Sequence, residues 1–386
     1  MNRIAPRIAC LQGIAFASLA LLVSTATAQA TQRSPVDQVV AAGCDKNLVL
    51  LGELPSHGEA KAFEAKAQVV TRLVEECGFD ALLFEAPMYE FEALRQPAPD
   101  QTAPVVGLEN AIGRFWTTAE LAGWRTWLLA QTAGGRLRVG GIDDQPGATS
   151  ARTRRLLPGL IAAAMPASDG LQCREVVARH LTWGYTEQTP FDGDEKARLL
   201  GCANAAQATL SEQAPAAGTT ALASAFRRYV RRQAGDERAP TRDDSMLSAL
   251  EWHLAALPRG SRVVIWTSTV HAAREPGGRS YVPLGHWLAQ SHGKQFLAVG
   301  FTAAAGTSSM AGAGPRTLEV APPESLEARA LGESLDSAYV GGALLRSMDG
   351  RPSRLYGTFS AHPWSRHFDA VVVYRNESAP TFPAIP

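Results

Sequence analysis

Residues 47–58 of the chain read Asn-Leu-Val-Leu-Leu-Gly-Glu-Leu-Pro-Ser-His-Gly, an apolar run that ends in polar residues. A run without polar alternation is typical of a strand that is buried on both faces. The following segment, Ala60–Cys77, has apolar residues at helical spacing, and Gly78 comes after it as a helix-stopping glycine. A second apolar run then occupies residues 81–85. Strand, helix and strand in this order predict a parallel sheet with crossover helices.

Short apolar runs bounded by Gly, Asp or Pro recur along the chain, and we interpret each as a buried strand. They occupy residues 47–51, 81–85, 137–142, 262–267, 296–301 and 370–374. Residues 145–258, approximately, contain no such run and have helical periodicity. We therefore predict an α/β fold with a mostly parallel sheet, crossover helices and an inserted helical lobe over the C-terminal edge of the strands. Residues 306–323 are rich in Gly, Ala and Ser and predict a mobile loop, and residues 351–353 predict a turn.

The first 30 residues have the pattern of a secretory signal peptide. Arg3 and Arg7 precede an apolar stretch at residues 8–23, and small-x-small sites follow at residues 26–30. The stretch is too short and too interrupted for a membrane span, which needs about 20 apolar residues. We therefore expect a periplasmic or secreted protein without stable membrane insertion after cleavage. The mature part, residues 31–386, is long enough to bury a large core.

Charge and cysteine content restrict the partners and the compartment. The 37 Lys and Arg residues balance 37 Asp and Glu residues, so no overall field favours nucleic acid or an anionic membrane. Four cysteines remain after the predicted signal, and in an exported chain we expect them to pair. Three connectivities are open, and the order along the chain favours Cys44–Cys77 and Cys173–Cys202, since each pair brackets one predicted supersecondary unit. We expect a monomer.

Ionisable residues stand at the ends of four predicted strands. In parallel α/β sheets, ligands bind beyond the carboxyl ends of the strands, so these ends are the positions to consider. In chain order the four ends carry Glu53 and His57, then Glu85, then Asp143 and Asp144, and finally Ser268 and His271. This coincidence predicts that two histidines and three or four carboxylates converge at one edge of the sheet.

These residue types suit acid/base chemistry. A neutral imidazole can take a proton from water, and a neighbouring carboxylate fixes its tautomer and stabilises the imidazolium that forms. Crowded carboxylates at a partly buried edge tend to have raised pKa values, so one of them could act as an acid. Glu53, His57, Glu85 and His271 could supply these roles together. Arg242 opens the helix before the fourth strand and could point into the same pocket.

A metal site is the competing chemical interpretation, because Glu53, His57, Asp143 and His271 carry suitable donor atoms. The sequence contains no His-Glu-x-x-His motif or other compact ligand pair. We therefore favour acid/base catalysis that needs no metal and no cofactor. The sequence also contains no Gly-x-Ser-x-Gly elbow, which is the motif of many serine hydrolases.

The same residues, in order, resemble the erythromycin esterase-like family. The similar stretches cover most of the mature chain and include Leu51-Gly52-Glu53, Ser56-His57-Gly58, Gly78-Phe79, Phe84-Glu85, Gly140-Gly141-Ile142-Asp143, Arg242-Asp243, Trp252-His253-Leu254 and Val263-Val264. The resemblance implies an α/β sheet with a deep cleft and a metal-independent hydrolase of small-molecule esters or lactones. Some members hydrolyse macrolides, so macrolide resistance is one role that the resemblance implies.

Residue roles follow from the same resemblance. It implies that His57 is the general base that activates water and that Glu53 is its partner. Glu85 and His271 would line the site of the water and the carbonyl group, and Lys66 stands where an arginine is usual. We also predict substrate contacts for Lys66, Asp143, Arg242 and Ser268.

Two departures from the family pattern motivate an alternative. The spacing here is Glu53-x-x-x-His57 rather than Glu-x-x-His, and Ser268 stands where the family commonly has a histidine. A hydroxyl cannot hold a proton at neutral pH as an imidazole can. The leading hypothesis is an exported hydrolase. The alternative is a non-catalytic envelope protein that binds a small ligand or a metal in the same cleft.

Overall fold

The computed structural model of the protein describes residue 1 and residues 33–95, 104–147, 150–213 and 217–383. The predicted signal peptide, apart from Met1, lies outside the described residues. The described strands are β1 (Leu48–Glu53), β2 (Ala81–Pro87), β3 (Arg138–Asp143), β4 (Val263–Ser268), β5 (Phe296–Ser308), β6 (Arg316–Thr317), β7 (Ser337–Gly341), β8 (Pro352–Ser353), β9 (Ser360–Ala361) and β10 (Ala370–Glu377).

Helices separate most of these strands. They are α1 (Pro35–Gly43), α2 (Ala60–Cys77), α3 (Met88–Leu94), α4 (Pro104–Ile112), α5 (Ala122–Ala133), α6 (Ala151–Ala163), α7 (Ala167–Thr182), α8 (Gly193–Gln213), α9 (Ala217–Gln233), α10 (Arg242–Ala256), α11 (Thr269–Ala272), α12 (Leu284–His292), α13 (Leu326–Leu331), α14 (Gly342–Arg346) and α15 (Trp364–His367). Two short 3-10 turns add Arg114–Trp116 and Gly293–Gln295. Within the described ranges, no helix is long and apolar enough to cross a membrane.

The main sheet has the strand order β3-β2-β4-β1-β5-β10-β7, with β6 paired to β5. The strands from β3 to β10 in this order run parallel to their neighbours, whereas β7 and β6 pair antiparallel. Glu53 at the end of β1 lies opposite Ser268 at the end of β4, and Asp143 at the end of β3 lies opposite Pro87. The predicted α/β class is confirmed, and the polar strand ends meet at one edge.

Helix α2 spans the residues predicted from the apolar periodicity. Its buried side chains Phe63, Val70 and Leu73 pack into an apolar layer on one face of the sheet. Gly78 ends the helix with φ 71°, a left-handed conformation that glycine adopts without steric cost. This helix therefore carries the chain from the end of β1 back to the start of β2, as a crossover between parallel strands requires.

Five helices, α6 to α10, lie between β3 and β4, where the sequence predicts the helical insert. They contact the chain just beyond the carboxyl ends of β2 and β3. The backbone N–H of Thr153 in α6 donates to Glu90 at 2.7 Å, and Arg242 at the start of α10 donates to Asp143 at 2.6 Å. The insert therefore covers the edge of the sheet that carries the ionisable residues.

Two disulfides join the predicted cysteine pairs. Cys44–Cys77 links the end of α1 to the end of α2, and Cys173–Cys202 links α7 to α8. The Cα atoms of the two pairs are 5.1 Å and 5.5 Å apart, within the range of ordinary cystines. Both predicted pairings are confirmed.

The structure corrects two predictions in the last third of the chain and adds strands that were not predicted. Residues 306–308 of the predicted mobile loop belong to β5, and Arg316–Thr317 returns beside it as β6. Residues 351–353, predicted as a turn, contribute β8, which pairs with β9. The strand β7 was not predicted. These segments are short or rich in Gly, Ala and Ser, so their strand conformation comes from pairing with neighbours and not from an apolar run.

Candidate active site

The loop after β1 holds a histidine against a buried carboxylate. Glu53 is fully buried at the end of the strand, and the Nδ1–H of His57 donates to its Oε1 at 2.8 Å. Because an ionised carboxylate can only accept, Nδ1 carries the hydrogen and Nε2 of a neutral ring is left as a proton acceptor. His57 has φ 48°, an uncommon left-handed conformation for a histidine. Such local strain is typical of residues held in place for a functional reason.

Gly58 allows this loop to pack closely against the end of β5. The backbone N–H of Ser309 donates to the Gly58 carbonyl at 3.0 Å. A Cβ atom at position 58 would lie 2.2 Å from the Ser309 carbonyl oxygen, closer than a side chain can approach. Glycine is therefore required here, and the backbone next to the histidine is pinned to the sheet.

Glu53 has further partners behind the histidine. The Nε1–H of Trp116 donates to Glu53 Oε1 at 2.9 Å, and the Lys66 ammonium contacts Oε2. Lys66 also donates to the Thr267 carbonyl at 3.0 Å and has no exposed surface. Burial holds the pKa of Lys66 well below its usual range, and the nearby charge of Glu85 only partly opposes that shift. The predicted substrate contact of Lys66 is therefore wrong: it lies behind Glu53, out of reach of a ligand.

Glu85, at the end of β2, is held from one side by the end of β4. Its Oε2 accepts hydrogen bonds from the Thr267 hydroxyl at 2.7 Å, from the Ser268 N–H at 2.9 Å and from the Ser268 hydroxyl at 3.1 Å. Ser268 is buried, and its hydroxyl donates to this carboxylate. The residue that departs from the family pattern thus orients Glu85 and does not face the open part of the site.

The other oxygen of Glu85 faces three nitrogen-bearing side chains. Its Oε1 lies 3.0 Å from Arg242 Nη2, 3.2 Å from His271 Nε2 and 3.7 Å from His57 Nε2. Burial alone would raise the pKa of Glu85, but the positive charges of His271 and Arg242 outweigh burial and hold it well below its usual range. Glu85 is therefore an ionised carboxylate at the centre of the cluster.

A second histidine–carboxylate pair stands opposite the first. The Nδ1–H of His271 donates to Asp243 at 2.9 Å, and the N–H of Leu284 donates to the same carboxylate at 2.8 Å. Burial disfavours the imidazolium, but Glu85 and Asp243 overcome burial and raise the pKa of His271 to about 9. The charged ring donates from Nε2 to Glu85. A neutral ring would instead accept there from Arg242 Nη1, which lies 3.0 Å away.

Arg242 is the cation of the cluster that reaches solvent. Its side chain is 31% exposed, and Asp143 binds it through Nη2 at 2.6 Å and Nε at 3.2 Å. Asp143 is buried, and its carboxylate accepts hydrogen bonds from this guanidinium. It therefore positions Arg242 and does not face a ligand, in contrast to the substrate contact predicted for it. Asp144 points away from the cluster and contacts Arg232.

Two aromatic rings lie beside His57, one exposed and one buried. The ring of Phe115 lies 4.9 Å from the His57 ring and is 37% exposed, and Trp116 meets the same imidazole edge-on at 5.4 Å. Neither aromatic residue was predicted from the sequence, nor was Asp243 given a site role there. The only signal for Asp243 was its place beside Arg242 at the start of α10.

Two other histidines are hydrogen-bonded away from this cluster. His253 donates to the Gly141 carbonyl at 2.9 Å, and His180 lies between two tyrosine hydroxyls. Among the described residues, no group of three or more His, Cys, Asp or Glu side chains is placed to hold a metal ion. A cavity of about 750 Å³ lies beside β3 and includes none of the clustered residues. Hydrolytic chemistry requires the ionisable groups, so the cluster is the candidate site.

Comparison with known proteins decides the family. A sequence profile described as Erythromycin esterase matches residues 74–376, most of the chain. The chain belongs to the erythromycin esterase family. Membership suggests a hydrolase of a small-molecule substrate. The matched residues include Glu85, Asp143, Arg242, Ser268 and His271. Glu53 and His57 precede the matched residues, so their place in the site rests on the geometry described above.

Solved structures share the fold of this family member. A Bacillus cereus protein has a TM-score of 0.68 at 18% identity, over 92% of this chain and 94% of that chain. A protein described as a succinoglycan biosynthesis protein has a TM-score of 0.67 at 15% identity, over 90% of this chain and 92% of that chain. A histidine-to-asparagine mutant of erythromycin esterase EreC in its open conformation has a TM-score of 0.63 at 16% identity, over 90% of this chain and 95% of that chain. No curated protein sequence matches the chain. At these identities the likeness establishes the fold alone.

Proposed function

We propose that this erythromycin esterase family member hydrolyses an ester or lactone, with His57 as the general base that activates water. The buried Glu53–His57 pair carries this proposal. Its 2.8 Å bond leaves Nε2 as the acceptor, and the 3.7 Å from Nε2 to Glu85 is too long for a direct hydrogen bond. A water beside this pair, within hydrogen-bond distance of both atoms, could be oriented by Glu85 and lose a proton to His57.

The opposite side of the cluster supplies positive charge for the carbonyl oxygen. Attack of water on the carbonyl carbon moves an electron pair onto that oxygen, and preorganised donors there typically contribute about 10²–10³ in rate. In this proposal the His271 imidazolium and the partly exposed guanidinium of Arg242 stabilise the oxyanion. When the carbon–oxygen bond to the leaving group breaks, His57 returns its proton to the alkoxide, so the general base is regenerated.

The test is a substitution that fits the unusual backbone of position 57. Asparagine tolerates a positive φ better than most residues but has no basic nitrogen. In His57→Asn we expect kcat on a panel of esters and lactones, macrolides included, to fall by roughly 10²–10⁴. His292→Asn changes a histidine on α12 outside the cluster and serves as the control. If the folded His57→Asn protein matched the wild type on every active substrate, the proposed base would be incorrect.

The same panel separates catalysis from the non-catalytic alternative. A ligand-binding envelope protein would turn over none of the substrates, yet would show a thermal shift with a ligand or stoichiometric metal by elemental analysis. Loss of such metal on substitution of His57 and of His271 would favour that alternative.

We also propose that the protein is exported to the periplasm or secreted. The N-terminal sequence pattern supports this proposal, and two cystines suit an oxidising compartment. Cell fractionation together with mass spectrometry of the mature N-terminus tests it. A full-length protein retained in the cytosol with reduced cysteines would contradict export.

A further inference from the structure

A cavity of about 750 Å³ lies beside the edge strand β3, at the ends of β2 and β3 opposite to Glu85 and Asp143. Its volume falls within the range of about 300–1,000 Å³ typical of small-molecule pockets. Its interior is mainly apolar and is formed by residues that include Leu83, Phe91, Leu108, Leu129, Leu137 and Trp252. A pocket of this kind favours a ligand with a substantial apolar part.

The polar part of the lining is cationic. Arg95 and Arg138 are both exposed at the rim, and the buried Arg152 lies in the wall. Arg95 pairs with Glu92, whereas Arg138 donates to the carbonyl of Ala256 at 3.1 Å. Both arginines line the same cavity, and partial burial, followed by the charge of Arg138, lowers the pKa of Arg95.

Among the described residues that line the cavity, the one histidine adds no charge. Burial lowers the pKa of His253 to about 4, and its Nε2–H is donated to the Gly141 carbonyl. The charged side chains among these described residues are therefore all cationic, and they lie next to an apolar interior. An anion at the rim would accept charge-assisted hydrogen bonds from Arg95 and Arg138.

We propose that this cavity binds a small single-chain amphipathic carboxylate, with its alkyl chain among the apolar side chains and its carboxylate between Arg95 and Arg138. Burial of the alkyl chain provides affinity, and the guanidiniums distinguish the carboxylate from a neutral alcohol of equal length. The cavity is separate from the proposed hydrolytic centre, because none of Glu53, His57 and His271 lines it.

Isothermal titration of the whole protein with octanoate, below the concentration at which it forms micelles, tests this proposal. We expect saturation at one site in the cavity and an affinity for octanoate at least about tenfold higher than for octanol, a difference of about 1.4 kcal/mol. In the double variant Arg95→Gln, Arg138→Gln, octanoate should bind about tenfold more weakly while octanol binding stays unchanged. Both substituted side chains are exposed, so the variant should fold.

Arg136→Gln is the matched control, because it removes a neighbouring exposed guanidinium that bonds to Gln131 and does not line the cavity. It should bind octanoate as the wild type does. His57→Asn should also retain binding, so a failure of the proposed hydrolysis leaves this test intact. Equal affinities for octanoate and octanol, absence of saturation, or full octanoate binding by the double variant would each overturn the proposal.

Discussion

Replacing Asp243 by asparagine tests the charge that we assign to His271. Asp243 accepts hydrogen bonds from His271 Nδ1 at 2.9 Å and from the N–H of Leu284 at 2.8 Å. An asparagine oxygen can accept the same bonds, so the substitution removes the negative charge and keeps the geometry. We expect the imidazole to stay in place and to bind its proton less tightly.

The structure sets the size of the effect. Against the cost of burial, Glu85 and Asp243 raise the pKa of His271 from 6.5 to about 9, a difference worth about 3 kcal/mol. One opposite charge at hydrogen-bond distance accounts for about 1–3 pH units of such a difference. Asp243 is one of two carboxylates on the ring, so its neutralisation should cost about 1–2 kcal/mol of the imidazolium's stabilisation.

Because the pKa of His271 is raised in the folded protein, its contribution to stability depends on pH. Because the folded-state pKa lies above the unfolded value, His271 contributes its full stabilisation below about pH 6.5 and loses it as the pH rises towards 9. Urea denaturation at several pH values should show the free energy of unfolding falling across this window in the wild type and falling less in Asp243→Asn. The alkaline limb of kcat/KM should move down by about one pH unit.

A carboxylate elsewhere on the same helix provides the control. Glu251 is exposed on α10, and Glu251→Gln should leave both pH profiles as they are in the wild type. If Asp243→Asn and Glu251→Gln had the same alkaline limb as the wild type, Asp243 would not set the charge of His271. The assignment of an imidazolium to the oxyanion side would then fail.

Two further predictions concern Lys66, which contacts Glu53, and Phe115, which lies beside His57. Lys66→Met removes the Nζ partner of the buried Glu53 carboxylate, so the free energy of unfolding in urea should fall by about 3–5 kcal/mol; an unchanged midpoint would contradict a stabilising Lys66–Glu53 contact. Phe115→Ala removes the exposed ring beside the proposed base, so KM for esters with an apolar group should rise by roughly two- to tenfold with kcat nearly unchanged. Steady-state kinetics on matched apolar and polar esters measure this effect, and an equal rise for both kinds would exclude an apolar contact.

The sequence predicted which strand ends carry ionisable groups, and the structure brings those groups together. Glu53, His57, Glu85 and His271 lie close together because parallel strands deliver their carboxyl ends to the same edge. The sequence did not predict that Lys66 contacts Glu53 or that Ser268 contacts Glu85. The position of a residue in the chain does not show whether its side chain faces the opening of the site or its neighbours. Their roles depend on partners that are distant in the chain.

Periodicity and glycine placement are local properties, so the sequence by itself determined the α/β class, helix α2 and the helical insert. The order of the cysteines favoured one of three possible pairings, and the structure selected it. The partners of each charge depend on packing between distant segments, so only the tertiary structure decided them. It placed Trp116 and Lys66 behind the first histidine and Asp243 behind the second. It also made Asp143 a partner of Arg242. In a buried cluster, these neighbours decide which groups are ionised, because each charge must be compensated by another within a few ångströms.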